Sequence, residues 1–207
     1  MEKMIEGILE FREKDFEEYR SLFEGLGRKQ NPHTLFIGCS DSRIVPNLIT
    51  KTLPGELFMI RNIANIVPKY RQSEEFLATT SAIEYAVQIL NVENIVVCGH
   101  SNCGGCASLY FNDQDLEKIP HTKKWLELAH PVRDLVIRQF PKKDDPTREW
   151  LTEQLNVVEQ IKHLYSYPFI SQKVEENKIK IFGWYYLIQS GEIFNYNESK
   201  HLFELIK

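Results

Sequence analysis

The stretch TLFIGCSDSR, residues 34–43, joins an apolar run to a thiol, a carboxylate and a guanidinium. The run that precedes Cys39 has the composition of a buried β-strand. A second apolar run leads into CGHSNCGGC, residues 98–106, where His100 and Cys103 stand three positions apart. Functional sites of parallel sheets form beyond the carboxyl ends of the strands. We therefore expect the two stretches to meet at one edge of a sheet.

Strand-like and helix-like segments alternate along the chain. Apolar or alternating runs predict strands at residues 34–39, 56–60, 94–98, 178–184 and 193–196. Helical spacing of apolar residues predicts helices between them, including a long helix from Ser73 to Leu90. This order predicts an α/β fold with a central, mostly parallel sheet of four strands, an antiparallel C-terminal edge strand and flanking helices. We expect residues 1–207 to form a single domain, in which residues 1–28 form an N-terminal helical arm.

The composition excludes several classes of function. The chain has 25 Lys and Arg against 29 Asp and Glu, so it lacks the basic excess of a nucleic-acid-binding protein. No apolar run approaches the roughly 20 residues that a membrane-spanning helix needs. The first residues are charged, without the apolar region of a signal peptide, so we expect a cytoplasmic protein with no membrane partner. The histidines outside the second stretch, among them His163, are interpreted as surface or capping residues.

The cysteines point to metal or redox chemistry, because clustered cysteines in a reducing cytosol seldom form structural disulfides. Cys39, His100 and Cys103 together offer two thiolates and an imidazole, which is a ligand set suited to Zn²⁺. Two alternatives remain at this point. Cys103 and Cys106 form a C-x-x-C pair of the kind found in thiol–disulfide enzymes. Cys98, His100, Cys103 and Cys106 could instead enclose a structural zinc ion.

Several motifs recur in an order that resembles the β-class carbonic anhydrases of bacteria. The motifs are C-x-D-x-R at 39–43, PGE at 54–56, RNIAN at 61–65, IEYA at 83–86, CGH at 98–100, H-x-x-C at 100–103 and GW at 183–184. The resemblance extends from about residue 30 to residue 195. It favours a zinc site with three protein ligands, Cys39, His100 and Cys103, over the two alternatives.

The resemblance implies the reversible hydration of carbon dioxide to bicarbonate and a proton. Cys39, His100 and Cys103 would hold one zinc ion per chain, and Asp41 with Arg43 would form the carboxylate–guanidinium dyad of the family. A zinc-bound hydroxide, oriented by that dyad, would attack CO₂. We expect water to be the fourth ligand, with Asp41 paired to Arg43 rather than bound to the metal.

The resemblance also implies a substrate pocket and a partner. Family members line the CO₂ pocket with residues that match Gln30, Phe58 and Tyr85, partly from a neighbouring subunit. Gly104 permits close approach of an anion to the main chain beside the metal ligands. The chain is accordingly expected to form a homodimer or a homotetramer, with the arm of residues 1–28 packed on a partner subunit.

Overall fold

The computed structural model of the chain describes residues 1–72, 77–142 and 145–207. Within these ranges six strands form one sheet in the order β2-β1-β3-β4-β5-β6. The strands are Thr34–Cys39 (β1), Leu57–Asn62 (β2), Asn94–His100 (β3), Lys180–Tyr186 (β4), Ile193–Asn197 (β5) and Leu202–Leu205 (β6). The first four are parallel, while β5 and β6 are antiparallel. The predicted sheet with its antiparallel C-terminal edge is confirmed, and β6 is an additional strand that the sequence did not indicate.

Helices flank the sheet on the described part of the chain. They are Glu2–Glu10 (α1), Phe16–Glu18 (α2), Arg20–Leu26 (α3), Pro46–Thr50 (α4), Ala78–Glu84 (α5), Gly104–Ala107 (α6), Asp113–Glu117 (α7), Pro120–Leu126 (α8), His130–Gln139 (α9), Thr147–Leu164 (α10) and Pro168–Glu175 (α11). The helix predicted from Ser73 to Leu90 corresponds to α5 and the π-helical turn Tyr85–Ile89, and its first four residues lie outside the described ranges. Among the described helices, none is both long and apolar enough to cross a membrane.

The N-terminal helices α1, α2 and α3 contain no buried residue. The arm has a small aromatic cluster of its own, in which the rings of Phe16 and Phe23 stack with their centroids 5.4 Å apart. The apolar residues of α1 remain exposed, namely Met4, Ile5, Ile8 and Leu9. The arm therefore carries an apolar face that the described residues of its own chain do not cover.

The long helix α10 packs directly on the centre of the sheet. A Cβ atom on Gly99 of β3 would lie 2.6 Å from Val157 Cγ2, and one on Gly183 of β4 would lie 2.6 Å from Ile161 Cδ1. Glycine at both positions therefore permits an approach that any side chain would prevent. Because Gly99 precedes His100, the same contact brings α10 next to the carboxyl edge of the sheet.

Candidate metal centre

Three sequence-predicted ligands come together at the carboxyl edge of the parallel strands. Cys39 is the last residue of β1, and His100 is the last residue of the neighbouring strand β3. The chain then turns through Asn102, whose φ of 55° lies in the left-handed region that asparagine tolerates better than most residues. This turn places Cys103 immediately before α6.

The spacing of the three side chains suits a tetrahedral metal ion. The Sγ atoms of Cys39 and Cys103 are 3.9 Å apart. Two sulfur ligands of a tetrahedral zinc ion, each about 2.3 Å from the metal, lie about 3.8 Å from each other. One ligand atom from each of Cys39, His100 and Cys103 can be chosen so that all lie within 4.8 Å of one another, and all three residues are buried. The donor atoms therefore fit a single ion.

The imidazole of His100 leaves one nitrogen free for a metal. Its Nδ1 atom donates to the carbonyl oxygen of Ser101 at 3.0 Å, so the proton of the neutral ring lies on that side. The Nε2 atom is buried and has no hydrogen-bond partner among the described residues. Buried polar atoms are normally paired. A bound metal would provide the missing partner for the Nε2 lone pair.

Both thiols resist ionisation without a cation. The neighbouring Cys103 thiol and burial raise the pKa of Cys39 to about 12. The pKa of Cys103 is also raised, by the adjacent Cys106 thiol and by burial. A soft divalent cation reverses this preference, because it offsets the charge of both thiolates.

The other two cysteines do not belong to this group of ligands. Cys98 packs with Phe36 and Val96 in a separate apolar cluster. Cys106 lies on α6 in the apolar cluster around Cys39, but it is not among the three residues whose ligand atoms converge. All four cysteines are free thiols. A closed site made from Cys98, His100, Cys103 and Cys106 is therefore not the arrangement present.

Asp41 and Arg43 form a two-pronged ion pair beside the ligands. Arg43 Nε donates to Asp41 Oδ1 at 2.9 Å, and Arg43 Nη2 donates to Oδ2 at 2.7 Å. These hydrogen bonds hold the pKa of Asp41 far below its usual range. Asp41 Oδ2 also lies 4.0 Å from His100 Nε2, while Arg43 Nη2 donates to the carbonyl oxygen of Asn102 at 2.9 Å. The ionised carboxylate therefore faces the ligand group while the arginine holds it.

Arg61 of β2 fixes the main chain that carries these residues. Its Nε atom donates to the carbonyl oxygen of Cys39 at 3.0 Å, and its Nη2 atom donates to that of Asp41 at 2.7 Å. Sequence analysis placed Arg61 in a motif but did not predict this contact. A single side chain thus ties the end of β1 to β2.

A buried carboxylate of α10 bonds the turn that carries Cys103. Glu153 of α10 accepts a hydrogen bond from the main-chain N–H of Cys103 at 2.8 Å. Its other oxygen accepts from the hydroxyl of Tyr185 at 2.7 Å. Burial raises the pKa of Glu153 to about 7. Sequence analysis did not identify Glu153.

Further buried polar residues of α10 hold the loop that follows β2. Asn156 Nδ2 donates to the carbonyl oxygen of Ala64, and Gln160 Oε1 accepts from Val67 N, both at 2.8 Å. His163 is buried, and its Nδ1 atom lies 2.7 Å from the carbonyl oxygen of Val67. The interpretation of His163 as a surface or capping residue is therefore wrong. The repeat of polar residues at helical spacing within this amphipathic segment is the sequence signal that could have indicated their burial.

Three of the predicted pocket residues lie away from the ligands of their own chain. Phe58 of β2 lies beside Leu35 of β1 in the sheet. Leu35 stands four residues before Cys39, and this separation is about 13 Å along the strand. The rings of Phe58 and Tyr85 have centroids 6.0 Å apart. Gln30 and Tyr85 line one cavity of about 620 Å³. One chain thus groups these residues near the amino ends of the strands.

Gly104, by contrast, lies beside the ligands. It directly follows Cys103 at the start of α6. A Cβ atom there would meet nothing within 4 Å in the described chain beyond its sequence neighbours and the backbone of its own helix. The main chain at Gly104 is therefore open to a small molecule.

Comparisons with known proteins identify the family to which the chain belongs. A family model described as carbonic anhydrase matches residues 34–193. A carbonic anhydrase of Helicobacter pylori strain J99 is 44% identical over 205 residues, which cover 97% of this chain and 92% of that protein. The structure of the β-carbonic anhydrase CcaA superposes with a TM-score of 0.94 at 37% identity, covering 100% of this chain and 99% of the other. A tetrameric β-carbonic anhydrase from Sordaria macrospora gives 0.81 at 32% identity, with 94% and 95% covered.

The fold and the comparisons thus place the chain among the lyases, with a candidate cysteine–histidine metal centre. The chain belongs to the β-carbonic anhydrase family, whose members hydrate carbon dioxide. This membership excludes the interpretation of Cys103 and Cys106 as the centre of a thiol–disulfide enzyme.

The ligand assignment predicts how single substitutions change metal content. When supplied with zinc, the unaltered chain should retain about one ion, whereas Cys39→Ser, His100→Ala and Cys103→Ser should each lose most of it. Cys106→Ser is the matched control, because Cys106 is a buried cysteine of the same cluster outside the converging group. Elemental analysis of the purified variants measures the outcome. Loss of metal in Cys106→Ser alone would overturn the assignment.

Proposed function

We propose that this chain catalyses the reversible hydration of CO₂ to bicarbonate and a proton with one zinc ion, held by Cys39, His100 and Cys103. The observation that carries the proposal is the convergence of two sulfurs 3.9 Å apart with the Nε2 atom of His100, which has no hydrogen-bond partner among the residues that the structure describes. When bound, zinc would supply the Lewis acidity that lowers the pKa of water toward about 7.

The proposed role of Asp41 is to orient the attacking oxygen. An ionised carboxylate only accepts hydrogen bonds, so it can hold the O–H of the nucleophile and direct a lone pair of that oxygen toward CO₂. Arg43 donates to Asp41 Oδ1 from its main-chain N and from Nε, donates to Oδ2 from Nη2, and so keeps the group ionised. Arg43 also bonds the carbonyl oxygen of Asn102. Through these contacts it would hold Asp41 beside the metal rather than on it.

Stopped-flow measurement of CO₂ hydration tests this assignment. The zinc-loaded chain should be active, a chelator should abolish the activity, and added zinc should restore it. Asp41→Asn should keep its zinc and lose roughly 100-fold or more in rate, because the amide cannot hold the nucleophile as a carboxylate does. Asp134→Asn is the matched control, since Asp134 accepts from Arg133 at 2.9 Å outside the site.

Two outcomes would contradict the proposal. Full activity after complete removal of zinc would exclude a metal-dependent reaction. An unchanged rate in Asp41→Asn would leave the zinc reaction intact but remove Asp41 and Arg43 from its chemistry.

We further propose that Gln30, Phe58 and Tyr85 line the CO₂ pocket of an adjacent subunit. The family resemblance suggests these positions, and their distance from the ligands of their own chain supports a role in a second chain. Phe58 and Tyr85 would supply an apolar wall, and the amide of Gln30 would donate to a bicarbonate oxygen. Gly104 would contribute main-chain contacts from the same chain as the metal.

The proposed assembly is a homodimer or a homotetramer in which residues 1–28 pack on a partner. The exposed apolar face of α1 supports this, because residues such as Ile5 and Ile8 would otherwise remain in water. The relative from Sordaria macrospora is tetrameric. A cytoplasmic location remains a prediction, which fractionation of cells that produce the chain can test.

A pocket shared between subunits predicts rescue in mixed dimers. Asp41→Asn and Gln30→Ala chains should each be nearly inactive alone. In a mixed dimer, one site combines an intact Asp41 with an intact Gln30. Random re-assembly should therefore restore about a quarter of the unaltered activity, because half the dimers are mixed and each has one intact site. Refolding the two variants together and measuring CO₂ hydration provides the test, and absence of rescue would place the whole site within one chain.

A further inference from the structure

Glu153 is a buried carboxylate that contacts the turn through Asn102 and Cys103, called the Cys103 turn below, without being one of the three proposed ligands. It is 2% exposed, and its two oxygens accept from Cys103 N at 2.8 Å and from the hydroxyl of Tyr185 at 2.7 Å. Burying a carboxylate is unfavourable unless donors compensate for the lost water. The two donors identify this placement as a built arrangement rather than an accident of packing.

The arrangement joins three elements at one point. Tyr185 of β4 lies beside Gly99 of β3 in the sheet, and Gly99 directly precedes His100. A Cβ atom on Gly99 would lie 3.4 Å from the carbonyl oxygen of Glu153, so α10 reaches the strand end here. Glu153 is therefore held from the helix side and, through Tyr185, from the sheet side.

The Cys103 turn depends on this contact for its orientation. Asn102 adopts a left-handed conformation, and the N–H of Cys103 points to Glu153. A rotation of the main chain at Cys103 would carry its Sγ atom away from Cys39, 3.9 Å distant. Outer partners of this kind fix the geometry of metal ligands in proteins.

We propose that Glu153 and Tyr185 form a positioning pair that holds the Cys103 turn so that the three ligands converge on one metal ion. This inference rests on the proposed zinc site. In this role neither residue is a ligand or a catalytic group. The hydrogen bond from Cys103 N to Glu153 positions the turn, and the negative charge of Glu153 does not.

The chain contains a matched control for this bond. Gln160 of the same helix is fully buried and accepts from Val67 N at 2.8 Å, the same kind of bond at the same length. Glu153→Met and Gln160→Met each remove one buried acceptor of a main-chain N–H. Only the first borders a metal ligand.

Competition with a chromophoric chelator, followed in zinc-loaded protein, should separate the two variants. Glu153→Met should bind zinc roughly 10- to 100-fold more weakly than the unaltered chain. Gln160→Met should keep the zinc affinity of the unaltered chain, even if it loses as much resistance to unfolding by urea as Glu153→Met does. In cobalt-substituted protein, the thiolate-to-cobalt absorption should shift in Glu153→Met and remain unchanged in Gln160→Met.

Two further variants separate positioning from charge. Glu153→Gln can still accept from Cys103 N and can donate its amide to the oxygen of Tyr185, so it should rescue zinc affinity and the cobalt spectrum. Tyr185→Phe leaves the carboxylate with its bond to Cys103 but frees the other oxygen, and should fall between Glu153→Met and the unaltered chain.

These measurements separate failure of the positioning pair from failure of the proposed zinc site. If the unaltered chain does not bind zinc, the zinc site itself is wrong. If it binds zinc and Glu153→Met binds equally tightly with the same cobalt spectrum, the positioning pair is wrong. A Glu153→Gln variant as weak as Glu153→Met would contradict the assignment to the hydrogen bond, and Tyr185→Phe identical to the unaltered chain would remove Tyr185 from the pair.

Discussion

The site depends on the close approach of two buried thiols whose sulfur atoms are 3.9 Å apart. Neither Cys39 nor Cys103 ionises readily in this setting, and the adjacent Nε2 atom of His100 lacks a hydrogen-bond partner in the described structure. Such a cluster is unfavourable by itself, because the buried Nε2 atom is left without a hydrogen-bond partner. A divalent cation removes the difficulty in one step, since it binds both thiolates and the imidazole lone pair. When no cation is bound, the rest of the fold must supply the free energy that holds the cluster together.

The long helix α10 links that stability to the site. Its apolar side chains pack against the sheet where Gly99 and Gly183 permit the closest approach. Its polar side chains then bond main-chain groups of the surrounding loops, with Asn156 on Ala64 and Glu153 on Cys103. One element thus carries both the hydrophobic contact with the sheet and the polar contacts that shape the loops. A shift of this helix would move the main chain at Cys103 and the loop after β2 together.

The sequence was informative where the pattern is local. Apolar or alternating runs predicted the parallel strands. The chemistry-bearing residues at the ends of two of them, Cys39 and His100, were predicted to converge with Cys103, and the structure brings their ligand atoms together. The strand Leu202–Leu205 was missed because four residues with exposed ends carry little alternation. Glu153 and His163 were missed for a different reason. Polar residues on a helix are normally assigned to solvent, and here their partners are main-chain groups 50 to 96 positions earlier in the chain.

The most direct test of the account is X-ray absorption at the zinc edge of the zinc-loaded protein near neutral pH. The account predicts two sulfur neighbours at about 2.3 Å and two lighter atoms at about 2.0–2.1 Å, because Cys39, Cys103 and His100 leave the fourth position to a solvent oxygen. Three or four sulfur neighbours would contradict it, since Cys98 or Cys106 would then have to bind the metal.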